Sequence, residues 1–357
     1  MKRERFQFYP QVENQILKRV TILKRVTIKD VAREAGVSPA AVSRVFTKRA
    51  SSSRKTKEKV LTAATLLGYR PSMVARGLVG YRTNLVTLVA GRMVDPFDAI
   101  FQDLLSETMA RRGIQLLLAS ASSSESDDSG LLQALDYQSE SVIVSSGTMS
   151  REHSEACVRA GLPIILMGRI VTHPGVDSVL ADNANGARQA AELLLRTGCQ
   201  RLVYLGRGGA TFSDKERFQG FSDEVTRAEV SFCSHSVEDP NQDAVFTAAI
   251  AILSSSKRPD GVFCGSDSIA FGVIEAARAL GLSIPEHLSV VGFNNVPPAD
   301  WRSFRLTTIE YPIGRTIETI VNLLDKRLAD PGRPSEVRRI PTQLIVRATT
   351  RKILPGA

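Results

Sequence analysis

Cysteine and histidine are scarce in this chain, and their spacing excludes several kinds of site. The four histidines are scattered and give no metal-ligand spacing. The cysteines contain no close pair, so neither a disulfide framework nor a zinc knuckle is indicated. We therefore expect no metal and no cofactor. The four cysteines are Cys157, Cys199, Cys233 and Cys264.

Long apolar runs are also missing. No stretch approaches the roughly 20 apolar residues of a membrane-spanning helix. The charged start at residues 1–5 is not followed by the apolar segment of a secretory signal. We therefore expect a cytoplasmic protein. Its 357 residues suit two or three domains, and an apolar content of 43% can build a sizeable core.

Charge is divided unevenly along the chain. Residues 1–82 contain 19 Lys and Arg but 5 Asp and Glu, whereas the remainder contains 27 and 32. A basic head on a mildly acidic body indicates a polyanionic partner for the head alone. A solvated basic face is the alternative. We expect residues 1–25, which include a tandem six-residue repeat, to be a disordered basic extension.

Residues 27–46 have the pattern of two short helices joined by a tight turn. Thr27 can cap the first helix, and Gly36 suits the left-handed residue that ends it. Ser38 can cap the second helix, whose exposed start would carry small or donor side chains. This geometry fits a DNA major groove, although a generic helical hairpin is the alternative. The outward residues are Pro39, Ala40, Ser43 and Arg44.

A third helix is expected after these two. Ser52 or Ser53 can cap it, and Gly68 can end it. Its apolar residues recur at helical spacing and predict one buried stripe. The stripe consists of Val60, Leu61, Ala64 and Leu67.

Four segments of the head resemble the lac/galactose repressor (LacI/GalR) family of bacterial transcription regulators. They are Val26 to Ser38, Val42 to Val45, Leu67 to Pro71 and Val74 to Leu78. The resemblance extends more loosely to about residue 351. It implies a homodimeric, nucleoid-associated regulator that binds operator DNA, acts as a repressor and responds to a small-molecule effector. It also implies that the chain is not an enzyme.

The resemblance places individual residues on DNA. Of the residues at base-reading positions, only Arg44 has a donor fork suited to guanine. The hinge, residues 71–82, would fold on operator DNA, where Leu78 would act as a minor-groove wedge. A simple apolar linker residue is the alternative for Leu78. The implied DNA-binding residues are Thr27, Ser38, Pro39, Ala40, Ser43, Arg44, Met73, Ala75 and Leu78.

From Thr83 onward, strands and helices alternate, which predicts an α/β fold with doubly wound, mostly parallel sheets. The resemblance implies two lobes like those of periplasmic sugar-binding proteins. We therefore expect a DNA-binding domain over 26–70, the hinge, and an effector-binding and dimerisation domain over 83–351. Lobe 1 would comprise about 83–182 and 312–340, and lobe 2 about 183–311 and 341–351.

Ligands of such folds bind at the carboxyl ends of the strands. Asn294 stands where the family usually has Asp, and Arg92 and Arg169 also follow strands. Fewer acids and more arginines favour an anionic effector, such as a sugar acid or sugar phosphate. Alternatives are a helix cap for Asp267, a turn residue for Asn294 and a salt-bridge partner for Arg217. The implied effector residues are Asp95, Phe97, Arg169, Arg217, Ser266, Asp267 and Asn294.

Two rival functions use the same α/β body. Leu205 to Gly209 follows a strand and hints at phosphate binding by an enzyme, but the segment lacks both the dinucleotide spacing and the P-loop lysine. A sugar-binding transport protein is the other rival, and the basic head argues against it. No leucine heptads follow Arg347, so a dimer is expected in preference to a tetramer.

Overall fold

The structure is a computed structural model in which the chain divides into two compact units, residues 1–82 and 83–357. The N-terminal extension, the hinge positions Met73, Ala75 and Leu78, and Arg92 lie outside the described residues. The described ranges are 26–46, 51–70, 83–91, 93, 95–121, 129–145, 151–171, 173–237 and 241–354.

The described part of the first unit contains the three predicted helices. They are α1 (Ile28–Ala35), α2 (Pro39–Val45) and α3 (Arg54–Leu67). The first helix begins with a capping box, in which Thr27 and Asp30 satisfy each other's backbone N–H groups. Gly36 has a φ of 63° and ends this helix in the left-handed conformation, as predicted.

One position in the predicted stripe of α3 is wrong. Leu61 is 42% exposed, whereas Val60, Ala63 and Ala64 are buried. Ala63 replaces Leu61 because positions three and four residues apart share a helix face, whereas Leu61 lies 100° from Val60. The core of this unit also contains Val31, Ala32, Ala35 and Val42.

The second unit contains two six-stranded sheets, and each defines a lobe. Lobe 1 has the strand order β11-β5-β4-β3-β1-β2, and lobe 2 has the order β12-β10-β9-β8-β6-β7. All pairs are parallel except β10 with β12. The strands are β1 (Leu85–Ala90), β2 (Gln115–Ser120), β3 (Ser141–Val144), β4 (Ile164–Met167), β5 (Val176–Ala181), β6 (Arg201–Gly206), β7 (Ser231–Ser236), β8 (Gly261–Cys264), β9 (Ser289–Asn294), β10 (Thr307–Glu310), β11 (Val337–Ile340) and β12 (Gln343–Ile345).

Helices cover the sheets, so most of the strands are buried on both faces and are rich in apolar residues. None of the described helices is long and apolar enough to cross a membrane. The helices of this unit are α4 (Pro96–Arg111), α5 (Ser129–Asp136), α6 (Arg151–Arg159), α7 (Asn183–Arg196), α8 (Phe212–Arg227), α9 (Gln242–Leu253), α10 (Asp267–Ala279) and α11 (Ile313–Ala329).

A buried ion network fixes the connection between α11 and β11 in lobe 1. Asp177, the second residue of β5, is fully buried. Its carboxylate accepts from Arg327 Nη2 at 2.8 Å, from Arg333 Nη2 at 2.7 Å and from the Glu336 amide at 2.7 Å. Because several donors satisfy the carboxylate, its burial is compensated.

Candidate DNA-binding surface and ligand cleft

The start of α2 presents an exposed face that could enter a groove. Ser38 caps this helix, and its Oγ accepts from the Ala41 amide at 3.2 Å. Among the described residues, Arg44 has no hydrogen-bond or ion-pair partner, so its guanidinium is available to a ligand. The predicted outward residues Pro39, Ala40, Ser43 and Arg44 are all exposed.

Thr27 is exposed, but its side chain is engaged within the helix start. The Thr27 hydroxyl donates to Asp30 Oδ2 at 2.7 Å and accepts from the Asp30 amide at 3.4 Å. Its capping role is thus observed. Its DNA contact stays a prediction, like those of Ser38, Pro39, Ala40, Ser43 and Arg44.

The lobe 1 side of the cleft contains a small recess of about 30 Å³ at the carboxyl ends of β1, β3 and β4. Asp98 and Gln102, one turn apart on α4, line it together with Ser145. The Oε1 atom of Gln102 is buried and has no hydrogen-bond partner in the part of the chain that the structure describes. Burial, and then the charge of Asp95, raise the pKa of Asp98 to about 6, against the lowering effect of Arg207 in lobe 2.

Sequence reasoning missed Asp98 and Gln102. Their i, i+4 spacing after the Asp95 cap was the available signal, because it places both on one face of α4. Asp95 itself is the N-cap of α4, and its Oδ1 accepts from the Phe97 amide at 2.9 Å.

Phe97 lies in the core more than in the cleft. It is 9% exposed, and its ring packs against Tyr311 with a centroid separation of 4.7 Å and against Phe101 at 6.5 Å. Little of the ring is left for the ligand stacking that the sequence suggested. Phe97 supports the cleft wall where the chain returns from lobe 2 to lobe 1.

Arg169 follows β4 and is partly buried without a countercharge. Among the described residues it has no hydrogen-bond or ion-pair partner. Burial lowers the pKa of its guanidinium from the ordinary value. Close by, Ser213 of lobe 2 donates from Oγ to the Gly168 carbonyl of lobe 1 at 3.0 Å. Arg169 therefore adjoins the place where the two lobes meet.

Arg217, on α8, is held firmly on the lobe 2 side. Its Nε donates to Asn183 Oδ1 at 2.9 Å, and its Nη1 donates to the Gly265 carbonyl at 2.5 Å. Its Cζ lies 3.7 Å from the centroid of the Phe293 ring. Burial is the main cause that lowers its pKa. Arg217 has no ion-pair partner among the described residues, which contradicts the salt-bridge alternative.

Asp267 is not the cap of α10 but a buried carboxyl behind the cleft. Ser266 is the N-cap of α10, and its Oγ accepts from the Ile269 amide at 3.4 Å, so the cap alternative for Asp267 is wrong. The carboxylate of Asp267 is fully buried and accepts from Thr308 Oγ1 at 2.5 Å and the Val296 amide at 2.8 Å. Burial raises its pKa to about 7. These contacts give Asp267 a role in fixing the chain after β9.

Asn294 combines a turn conformation with a free amide. Its φ of 118° lies in the left-handed region, as the turn alternative suggested. Its carbonyl accepts from the Tyr311 amide at 3.3 Å, but its side chain has no hydrogen-bond partner among the described residues. Nearby, the buried hydroxyl of Tyr311 also lacks a partner. Burial raises the pKa of Tyr311, and Arg217 opposes that shift.

The glycine-rich loop after β6 does not form a phosphate cradle. The carboxylate of Asp214 accepts from the Arg207 amide at 3.1 Å, the Gly209 amide at 2.7 Å and the Tyr204 hydroxyl at 2.7 Å. These two backbone N–H groups are therefore already satisfied and unavailable for a phosphate. The Nε of Arg207 is buried and has no hydrogen-bond partner within the described ranges. The described residues contain no cluster of three or more potential metal-ligating side chains.

A basic three-helix head with an exposed second helix, joined to a two-lobed ligand-binding body, defines a ligand-responsive DNA-binding regulator. Residues 27–72 match bacterial regulatory proteins of the lacI family, and residues 191–350 match the periplasmic binding protein-like domain. The chain is 31% identical to the ribose operon repressor of Halalkalibacterium halodurans, over 91% of this chain and 97% of that repressor. The chain belongs to the lacI family and is a DNA-binding transcriptional regulator, not an enzyme.

Further relatives are similar to the chain in sequence, and solved structures are similar to it in fold. Catabolite control protein A of Priestia megaterium is 28% identical over 91% of this chain and 99% of its own length. The fold matches a crystal structure of the lac repressor dimer bound to operator and the anti-inducer ONPF, with a TM-score of 0.82, 23% identity and coverage of 92% of this chain and 100% of that one. A CelR–cellobiose complex matches with a TM-score of 0.65 and 25% identity over 91% of this chain and 100% of that one.

Proposed function

We propose that this chain represses transcription by binding a pseudo-palindromic operator as a homodimer, with one α2 helix in the major groove of each half-site. The observation that carries operator recognition is Arg44 on the outward face of α2, which is exposed and has no ion-pair partner among the residues that the structure describes. Relatives that carry the names of repressors support the direction of regulation. A regulator of operator DNA acts in the cytoplasm beside the nucleoid, and we assign the chain to that compartment.

The hinge and the domain boundaries are part of the same proposal. Residues 71–82 connect the head to the body, with Met73, Ala75 and Leu78 on the minor groove, as the family resemblance implies. The boundaries remain 26–70 for the head and 83–351 for the body, with crossings between lobes near 182, 311 and 341. Effector binding would change the relative positions of the lobes, and hence the spacing of the paired hinges.

We further propose that the effector is an anionic carbohydrate, such as a sugar acid or a sugar phosphate. Arg169 in lobe 1 and Arg217 in lobe 2 flank the cleft without any ion-pair partner among the described residues. Asn294 supplies a neutral amide at the end of β9, where a carboxylate would repel an anion. Arginine is suited to bidentate binding of carboxylate or phosphate.

The names of the relatives support a carbohydrate effector. The arginines of this cleft are the reason for proposing that the carbohydrate is negatively charged. One relative is named for the ribose operon, and one structurally similar regulator, from Enterococcus faecium, contains bound ribose. The remaining proposed contacts are Asp95 and Ser266 along the rim, together with the small exposed part of the Phe97 ring.

Calorimetry on the full chain tests the proposed ligand class. D-ribose, D-ribose 5-phosphate, D-glucose and D-gluconate make a panel in which neutral sugars are paired with charged relatives. The charged members should bind and release heat, whereas the neutral members should bind much more weakly. Tight binding confined to the neutral sugars would reject the anionic effector but not the operator-binding function.

The operator-binding part is tested separately by selecting DNA from a random pool with the full chain. The expected product is a pseudo-palindrome with two half-sites about one or more helical turns apart. Selection of a single, non-repeated site would contradict the dimeric arrangement.

A further inference from the structure

A chain of hydrogen bonds leads from Arg217 in the cleft to the opposite lobe. Arg217 Nε donates to Asn183 Oδ1 at 2.9 Å, and Asn183 Nδ2 donates to Glu216 Oε2 at 3.2 Å. The other oxygen of Glu216 accepts from Arg339 Nη2 at 2.6 Å. Asn183, Glu216 and Arg217 are on α7 and α8 of lobe 2, whereas Arg339 is on β11 of lobe 1. The four side chains therefore connect the two lobes.

The amide of Asn183 fixes the direction of this chain. Asn183 is fully buried, and its Nδ2 donates both to Glu216 and to the Ala181 carbonyl, at 3.2 Å in each case. Because both acceptors lie on the Nδ2 side, Oδ1 must face the guanidinium of Arg217. Asn183 thereby holds one edge of the guanidinium, while Nη2 has no partner among the described residues.

The three hydrogen-bonded side chains of lobe 2 move together as one rigid unit. Helices α7 and α8 pack so closely that a Cβ added to Gly220 would lie 2.3 Å from the Ala184 carbonyl oxygen. Asn183, Glu216 and Arg217 therefore keep their relative positions when the lobes move. The pair between Glu216 and Arg339 crosses between the lobes, as does the Ser213–Gly168 hydrogen bond, so such a movement lengthens or breaks it.

The location of this pair suits a role in lobe movement. Asn183 directly follows the segment that joins β5 of lobe 1 to α7, and Arg339 precedes the segment that joins β11 to β12 of lobe 2. The side chains of Glu216 and Arg339 are 16% and 39% exposed, so the pair is partly sheltered from screening. The hydrogen bond to Glu216 raises the pKa of Arg339.

We propose that Asn183 and Glu216 are positioning residues that tie the guanidinium of Arg217 to Arg339, so that lobe closure and ligand contact at Arg217 depend on each other. The ligand half of this inference rests on the proposed function, whereas the link between the lobes does not. Such reciprocity is the requirement for any coupling between two sites.

The link is tested without a ligand by measuring the distance between the lobes with spin labels. Cys233 in lobe 2 is exposed and the other three cysteines are buried, so Glu318→Cys on α11 supplies the second label in lobe 1. Labelled chain is diluted into unlabelled chain so that distances within one subunit are measured. Arg339→Ala is compared with its neighbour Arg338→Ala, which pairs with Glu336 of the same lobe.

Arg339→Ala should lengthen the mean distance and widen its distribution, whereas Arg338→Ala should leave both unchanged. Glu216→Gln removes the charge but keeps an acceptor for Asn183, and it should reproduce the effect of Arg339→Ala. The double variant should give the same distance distribution as either single variant, because both substitutions remove the same interaction. Equal distributions for Arg339→Ala and Arg338→Ala would overturn the link.

The ligand half uses D-ribose 5-phosphate as the probe. Arg339→Ala should raise the Kd several-fold, Arg339→Lys should restore most of the affinity, and Arg338→Ala should have no effect. If the probe does not bind, or binds equally well to an Arg217→Ala variant, the proposed ligand site is wrong, and the distance measurement still decides the link. If Arg217→Ala weakens binding but Arg339→Ala does not, the positioning role is overturned and the ligand site stands.

Discussion

The guanidinium carbon of Arg217 lies 3.7 Å from the centroid of the Phe293 ring, at the carboxyl end of β9. This stacking, with hydrogen bonds to Asn183 and Gly265, fixes two edges of the guanidinium and leaves Nη2 for a ligand. A cation over an aromatic face in a sheltered site gains about 2 kcal/mol. The cleft therefore contains a preorganised cationic donor, so little conformational entropy is lost when an anion binds.

Replacing Asn294 with Asp should weaken binding of an anionic probe. Asn294 ends β9 at the carboxyl edge of the lobe 2 sheet, where the ligand is proposed to bind, so a carboxylate there would repel an anionic ligand. Asp tolerates the left-handed φ nearly as well as Asn, so the fold should persist. Calorimetry with D-ribose 5-phosphate measures the effect, and thermal unfolding serves as the control. Unchanged or tighter binding would argue against an anionic ligand near β9.

Replacing Arg44 with Ala should relax base choice in the operator. Loss of a bidentate contact to guanine costs about 1–3 kcal/mol of discrimination at one position. Binding of the variant to the selected operator and to single-base variants of it measures this discrimination. Arg33→Ala on α1 is the matched control, because Arg33 is exposed but pairs with Asp30. Full discrimination by Arg44→Ala would exclude Arg44 from base readout.

The buried carboxyl of Asp267 should make stability fall as pH rises. Its pKa is about 7 in the folded chain, above the ordinary 3.8, so the folded state holds this proton more tightly than the unfolded state. Its contribution to the free energy of unfolding is thus greatest below about pH 4 and is lost progressively toward pH 7. In Asp267→Asn this contribution disappears, although both hydrogen bonds can be kept because the Thr308 hydroxyl can accept.

Denaturant titrations of both proteins between pH 4 and pH 8 check this. The difference in unfolding free energy between wild type and Asp267→Asn should change across the interval from about pH 4 to 7 and level off above it. A difference that is constant with pH would show that Asp267 is ionised throughout.

Replacing Arg327 with Met should destabilise lobe 1 severely. Removing one member of a buried ion pair costs about 3–5 kcal/mol, because the remaining charge loses compensation. Arg112→Met is the control. Arg112 pairs at the surface with Asp325, which is on α11 like Arg327, and a surface pair contributes at most about 1 kcal/mol. Urea unfolding of the two variants gives the comparison. Similar losses would mean that Arg333 alone satisfies Asp177.

The sequence was sufficient to predict the three helices of the head and the alternation of strands and helices, because caps, left-handed glycines and apolar periodicity are local signals. The effector role of Arg217 stays a prediction of the family resemblance. Leu61 was misplaced because its neighbour Ala63, although small, lies on the buried face. Asp267 binds Thr308 on β10 and the Val296 amide after β9, and the charge of Arg207 acts on Asp98. These interactions join segments that are distant in the sequence, so no local pattern predicts them.

The proposed control of operator binding is tested most directly by titrating the selected operator with the full chain, with and without D-ribose 5-phosphate and D-gluconate, and with D-ribose as the neutral comparison. We predict that at least one anion changes the operator Kd and that D-ribose does not. Arg217→Ala should bind the operator like wild type but lose the response, whereas Lys215→Ala, an exposed neighbour on α8, should keep it. A response to neutral D-ribose alone, or an undiminished response in Arg217→Ala, would contradict the account.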